Sequence, residues 1–448
     1  MATANPHPAT GSPLRAFART PYGRGLLLLA TTTFAFGFAM AAQQNIVSNY
    51  FEGPLGLSGS QFGYITAIRE IPGFFLIFVA ALFFRLSLPH LTSLALVGLA
   101  IGYGFFGFSD SFWSVAPWVI LSSAGYHTFL QTQSALGMSL VHEGRSGAIL
   151  GRIASINQGG AVIAMAAVFL IFEFDLLSFK AVFVICGVAA AIAAIAIVRF
   201  PNMVDGEEQE RALRREPLVL RKEYWRYYLL CILDGARQQI FFSFGLWVLV
   251  NHFSLDVPVI SIVLLVVAMV GFLTATRIGR LLDLIGERRL LKYVNAAYIV
   301  ALLGYGLIDL VAVALLCYVV YSFIMPLSSM GASTYLRKIA PHEDIAPTLA
   351  MGLSLQHAAA IIVPIAAGFI LNFVGYQIPF LIAVVFAALA IPVTQRLFPD
   401  RQKSPRRIAQ DAARAAAGSA TPAGSGPTTV APTARGRQTG GAVAGVSK

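Results

Sequence analysis

The chain is short of charge. Asp, Glu, Lys and Arg together make up 12% of its 448 residues, half of the roughly 25% found in ordinary soluble domains. A water-soluble protein of this length would divide into several domains, each needing a polar surface, and the residues for such surfaces are missing. Cysteine is scarce as well. Cys186, Cys231 and Cys317 all fall in apolar segments without metal-like spacing, so they read as small packing side chains, and no metal site or cofactor is expected. No Gly-x-x-x-x-Gly-Lys-Ser/Thr loop occurs, and no large polar segment could house nucleotide hydrolysis, which argues against ATP-driven chemistry.

What the sequence does have is apolar length: 57% of its residues are hydrophobic. A helix needs roughly 20 apolar residues to cross a bilayer. Runs long enough to span are expected at 25–45, 60–84, 90–109, 114–139, 148–172 and 180–199, and again at 227–252, 257–279, 291–309, 311–335, 347–372 and 376–397. The fold class is therefore all-α integral membrane, with 12 transmembrane helices. Residues 1–24 read as a polar N-terminal tail followed by an uncleaved insertion signal. Residues 25–199 and 227–397 form two six-helix bundles joined by a mixed-charge linker at 200–226. The Ala-, Gly-, Thr- and Pro-rich stretch at 398–448 is expected to be disordered.

The net charge of +11 invites a nucleic-acid reading, but the basic residues sit in loops and tails without an aromatic groove. Of the 32 Lys and Arg, 29 fall on one side of the expected topology, and only Lys180 falls in a link on the other; Arg69 and Arg237 lie within spans. Cytoplasmic loops carry such an excess. Both termini are accordingly expected in the cytoplasm, with the chain multi-pass in the plasma (inner) membrane.

Residues recur at offsets of 199 to 202. His142-Glu143 followed by Ser155-Ile156-Asn157-Gln158 is echoed by His342-Glu343 followed by Ser354-Leu355-Gln356-His357, and Asn49-Tyr50-Phe51 by Asn251-His252-Phe253. A duplicated six-helix unit would produce this pattern in the same orientation. In the link after the eighth span stands Gly279-Arg280-Leu281-Leu282-Asp283-Leu284-Ile285-Gly286-Glu287-Arg288-Arg289. Over roughly residues 20–398 the chain resembles the major facilitator superfamily, whose loop pattern is Gly-x-x-x-Asp-Arg-x-Gly-Arg-Arg. Gly279, Asp283, Gly286 and Arg288 fit it, with Arg289 adding a basic residue directly after; Leu284 and Glu287 depart from it, and the first-half loop at Arg85 to His90 has lost it. The resemblance implies two bundles related by a pseudo-two-fold axis, with spans one, four, seven and ten lining a central cavity. On physical grounds alone, Asp283 and its arginines could either latch facing helix ends or simply anchor the loop.

Ionisable groups inside a span are costly and mark function by default. On the seventh span Asp234, Arg237, Gln238, Phe241 and Gly245 fall within one arc of helix. Asp234 and Arg237 can pair at i,i+3, either as a substrate-opened site or as a structural ion pair. Arg69 and Glu70 precede Pro72-Gly73 on the second span and point about 100° apart, so they are expected to find partners on different helices. Gln356 and His357 on the eleventh span sit at similar depth, and the resemblance packs these two spans together. Glu70–His357 and Arg69–Gln356 are the candidate contacts. Gln43 and Gln44, His127 and Gln131, and Asn157 and Gln158 are neutral or weakly basic groups suited to a hydrated cavity, or equally to helix–helix hydrogen bonds.

The function this implies is secondary transport of a small solute by alternating access. Glu70 and Asp234 are candidate proton carriers, and facilitated uniport is the alternative coupling mode. The partners are a small-molecule solute, protons and the lipid bilayer; no nucleic acid is expected, and the chain would act as a monomer. The fourth span lacks the arginine and the fifth the Gly-Pro of the family's drug–proton antiporters, so export is not implied. Two other classes compete. A membrane enzyme would have to use His142-Glu143 or His342-Glu343-Asp344, which lack a complete ligand sphere. A non-transporting partner protein would find little rigid docking surface in these loops.

Overall fold

The computed structural model describes residues 17–75, 86–141, 146–201 and 220–419; at 146–148, 272, 274–283, 342, 346 and 414–419 the backbone alone is described. Among the described residues all regular structure is helical. Lipid offers no hydrogen bonds, so a backbone that crosses it must satisfy its own N–H and C=O groups, and apolar runs of this length therefore coil. The first half contains α1 (Pro21–Glu52), α2 (Gly59–Phe74), α3 (Leu88–Phe106), α4 (Phe112–Met138), α5 (Ser146–Glu173) and α6 (Phe179–Ile197). The second begins with α7 (Trp225–Asn251), followed by the 51-residue element Val257–Leu307. That element breaks at Gly286 and is counted as α8 (257–285) and α9 (287–307). Then come α10 (Val311–Ile339), α11 (His342–Phe373), α12 (Gln377–Gln395) and the short α13 (Pro405–Ser419).

Eight of the described helices are long and apolar enough to cross a membrane by length and composition. Of the others, α2 is described only as far as Phe74, and the uninterrupted apolar part of α8 is Val257–Gly271. α4 and α7 are diluted by polar side chains that face inward. Large side chains such as Trp113, Val300 and Phe373 are 79%, 72% and 75% exposed, as a lipid-facing surface requires. Side chains cap several helix starts. Thr20 Oγ1 accepts from Gly23 N at 3.0 Å, with Pro21 at the first helical position. Ser58 and Gln61 form a reciprocal capping box on α2.

Residues up to Ser404 form one compact unit, within which the packing repeats. α1 packs on α5 and α6, and α3 on α4 and α6; in the second half α7 packs on α11 and α12, and the broken element on α10 and α12. The halves are joined chiefly by α2 with α11 and by α5 with the broken element, and α1 also meets α7 and the broken element. The α2–α11 contact is backbone-close. A Cβ at Gly63 would sit 2.4 Å from Pro364 O, and one at Gly368 2.6 Å from Gly59 O. Without a hydrophobic force between helices in lipid, small residues that permit such approach are the usual means of association.

Three expectations are corrected. The link after the eighth span is helical except at Gly286, whose φ of 74° and ψ of 156° belong to a region open essentially to glycine. The leucine- and arginine-rich flanks favour helix, so a single glycine suffices to redirect the chain. α1 and α11 start earlier, at Pro21 and His342, and α1 runs seven residues past its expected end, to Glu52. The segment from 398 is structured as far as Ser419. Tyr335 Oη donates to Gln402 Oε1 at 2.8 Å and Ser404 N to Ile339 O at 2.9 Å. α13 is built from alanine-rich sequence with an Arg407–Asp411 ion pair at i,i+4. The N-terminal tail to 16, most of the central linker (202–219) and residues 420–448 lie outside the described residues.

Gly63→Ala is expected to destabilise the protein by about 1–3 kcal/mol, the usual cost of overpacking a close contact. A lowered melting temperature in detergent checks this; an unchanged one would show that the two backbones can separate freely.

Candidate functional site

A cavity of ≈ 360 Å³ lies between the halves, walled by α1 to α4 on one side and by α7 and α11 on the other. At the end near the α1–α2 and α7–α8 turns it meets an aromatic cluster that crosses between the halves. Phe62 of α2 stacks on Trp247 of α7 at 4.2 Å and meets Phe244 edge-on at 5.7 Å, with Phe51 of α1 at 6.2 Å.

At mid-depth the cavity carries its charge. Glu70 Oε1 lies 3.2 Å from Arg69 Nη2, and Glu70 Oε2 lies 3.3 Å from His357 Nδ1 on α11 of the other half. The expectation of different partners is therefore half corrected. Arg69 folds back onto its sequence neighbour, because its long side chain bridges the 100° that separates them. Its guanidinium also lies 5.4 Å from the Phe242 ring centroid, while its backbone carbonyl accepts from Ser123 Oγ on α4. His127 packs edge-on against His357, ring centroids 5.3 Å apart. It fits because residue 73 is glycine: a Cβ there would lie 2.7 Å from the imidazole.

The proposed polar stripe on α7 divides. Gln238 faces the cavity, but Arg237 points the other way and is 1% exposed. Its guanidinium stacks 3.4 Å from the Tyr298 centroid and donates to Tyr321 Oη and to Asp234 Oδ1. Phe241 stacks on Tyr321 at 3.6 Å. Two tyrosine faces offer buried guanidinium a cation–π environment, which a stripe drawn on one helix does not reveal. Asp234 opens instead onto a second cavity of ≈ 180 Å³ inside the second half, with Asn295, Ser328 and Ser329 among its walls; Gln356 borders both cavities.

Gln43, Gln44, Gln131, Gln356 and His127 also line the central cavity. Asn157 and Gln158 do not; a Cβ at Gly37 would lie 2.3 Å from Asn157 O, placing Asn157 in the α1–α5 contact. Gly279, Asp283 and His342 are described in backbone alone, and His142 and Glu143 lie outside the described residues. Arg288 and Arg289 are exposed, and Arg288 lies 4.3 Å from the Phe398 ring centroid. Next to them the buried Glu287, which stands where the loop pattern has arginine, takes Lys338 Nζ at 2.7 Å. Asp344 is tied to Arg221 Nε at 3.1 Å and accepts from Tyr224 Oη at 2.8 Å; burial holds that phenol above its ordinary range. Among the described residues no group of His, Cys, Asp and Glu has metal-binding geometry. Sequence reasoning missed Phe62, Trp247 and Phe242, since aromatic residues in apolar runs carry no local signal.

The model of the Major Facilitator Superfamily matches the chain at residues 27–346 and again at 231–433. The chain belongs to this superfamily. It is accordingly a multi-pass membrane transporter for a small-molecule solute, built on the all-helical fold expected above. Solved structures agree in fold. A mutant of the nucleoside transporter NupG superimposes with a TM-score of 0.69 at 16% identity, over 84% of this chain and 100% of that one. A bacterial homologue of the human lysosomal transporter Spinster, inward-facing and occupied, gives 0.64 at 14%, over 88% and 100%. A POT family transporter in complex with a thioalcohol-conjugated peptide gives 0.61 at 15%, over 83% and 94%. No curated protein sequence matches the chain.

Removing one partner of a buried ion pair costs about 3–5 kcal/mol because the other charge is stranded. Arg237→Met should therefore lose stability on that scale, and adding Asp234→Asn should restore most of it. Denaturation in detergent reads both; equal losses in single and double variants would show that the pair is not the source.

Proposed function

We propose that the chain is a secondary transporter working by alternating access, with Glu70 as its proton carrier. The carrying observation is that Glu70 is held by Arg69 of its own half and by His357 of the other, inside a cavity both halves build. Rocking of one bundle against the other is the motion such repeats support. It would draw His357 away from Glu70 and leave Arg69 in place. A carboxylate losing a hydrogen-bond donor in apolar surroundings binds a proton more readily, so the proton state of Glu70 and the opening of the cavity become linked. Asp234 is less suited to this task, since Arg237 moves with it on the same helix. The basic-residue distribution supports cytoplasmic termini in the plasma membrane. One chain carries a whole cavity, which supports a monomeric transporter.

In proteoliposomes, Glu70→Gln should abolish accumulation driven by a pH gradient and spare exchange of the same solute between the two sides. Accumulation that still follows the pH gradient in this variant would remove Glu70 from the proton path. Wild-type flux indifferent to pH would instead favour facilitated uniport.

A further inference from the structure

We infer that the central cavity selects an uncharged solute ringed by hydrogen-bond donors and acceptors, held by the amides of Gln43, Gln44, Gln131, Gln238 and Gln356; this rests on the transport reading above. A sugar and a nucleoside are two sources of that chemistry.

The amides stand out against the other polar groups on the cavity wall. Thr66, Ser122 and Ser123 donate to backbone carbonyls, Tyr103 to Met40 Sδ and Gln239 to Ser243 Oγ, so these are used inside the protein. Tyr126 and His127 also border the cavity, held by ring contacts with Phe36, with each other and with His357. The five cavity glutamines make no side-chain hydrogen bond to protein among the described residues, and they border open space. A primary amide offers two donors and two acceptor lone pairs. It matches hydroxyl, amide or ring-nitrogen groups of either polarity and gives a net charge no preference.

The charged groups point the same way. Arg69, Glu70 and His357 already satisfy one another. An anionic or cationic solute would have to pull one of them out and strand its partner, a costly exchange in a desolvated site. An uncharged solute leaves the cluster free for its proposed coupling role.

Placement and shape add to this. Two of the amides come from α1, one from α4, one from α7 and one from α11, so they surround the space from both halves. A solute that satisfies them together must carry polar groups around its rim. Phe51, Phe62, Phe106 and Phe242 also face the cavity and suit the C–H face of a sugar ring or the plane of a base. The volume of ≈ 360 Å³ sits at the small end of the roughly 300–1,000 Å³ of ligand pockets, which fits a solute of nucleoside size or less.

The full-length purified protein can be tested with D-glucose, uridine, benzoate, succinate and choline by thermal shift, followed by counterflow in proteoliposomes. D-glucose or uridine should raise the melting temperature, and which one does identifies the source; the three ions should not. Gln131→Met and Gln238→Met should each weaken that binding about fivefold, the worth of one neutral hydrogen bond. Gln238→Asn, which keeps a shorter amide, should fall between Gln238→Met and wild type. Stabilisation by ions alone, by none of the five, or by a neutral probe whose affinity is unchanged in both Met variants overturns the inference. The transport reading fails separately: a neutral probe that binds in a Gln131- and Gln238-dependent way but shows no counterflow would refute transport and leave the binding chemistry standing.

Discussion

Everything at the centre of the molecule depends on how Glu70 is compensated. A carboxylate at mid-depth in a membrane protein is tolerated only with partners at hand. Glu70 has one from each direction, Arg69 beside it in sequence and His357 across the interface between the halves. The second partner is available only because α2 and α11 approach to backbone contact. Gly59, Gly63 and Gly368 make that approach, at the start of α2 and towards the end of α11. The glycine contact and the Glu70–His357 contact thus belong to one arrangement. The former sets the spacing of the two helices, and the latter needs it.

The duplication is visible in hydrogen bonds as well as in helix order. Asn49 Nδ2 crosses from the end of α1 to Leu255 O of the second half at 2.9 Å, and Asn251 Nδ2 crosses from the end of α7 to Glu52 Oε1 of the first at 3.5 Å. The next residue in each half stays at home. Tyr50 Oη donates to Phe106 O and Ser109 O at the α3–α4 turn, and His252 Nε2 meets Asp309 Oδ1 at the α9–α10 turn. One residue of each repeated triplet therefore bonds across the halves, and the next braces its own half.

This explains what could be read in advance. Apolar run length and the 200-residue repeat are properties of the chain as a line, and they carried the fold. Glu70 and His357 could be matched because both are costly residues at the same depth on helices that the resemblance brings together. Arg237 could not be placed in the same way. Its position on the helical wheel is compatible with the cavity, and what turns it away is a pair of tyrosines 61 and 84 residues further on. Asn157 shares the polarity and depth of the cavity glutamines, yet it lies against α1, where Gly37 leaves room for it. Side-chain polarity predicts that a group needs a partner; only packing decides whether that partner is solute or helix.

The two intramembrane Arg–acid pairs then acquire different meanings from their geometry. Asp234 and Arg237 share one helix, and the tyrosines around Arg237 belong to the same half, so rocking of the halves leaves this set intact. It braces the second half as a body. Arg69 and Glu70 also share a helix, but their third partner, His357, does not, and neither does Phe242 beneath Arg69. Any motion that separates the halves must rebuild this contact. The rocking mechanism proposed above needs both kinds of pair, because a half that deformed around its own buried charge would dissipate the proposed change in proton affinity at Glu70.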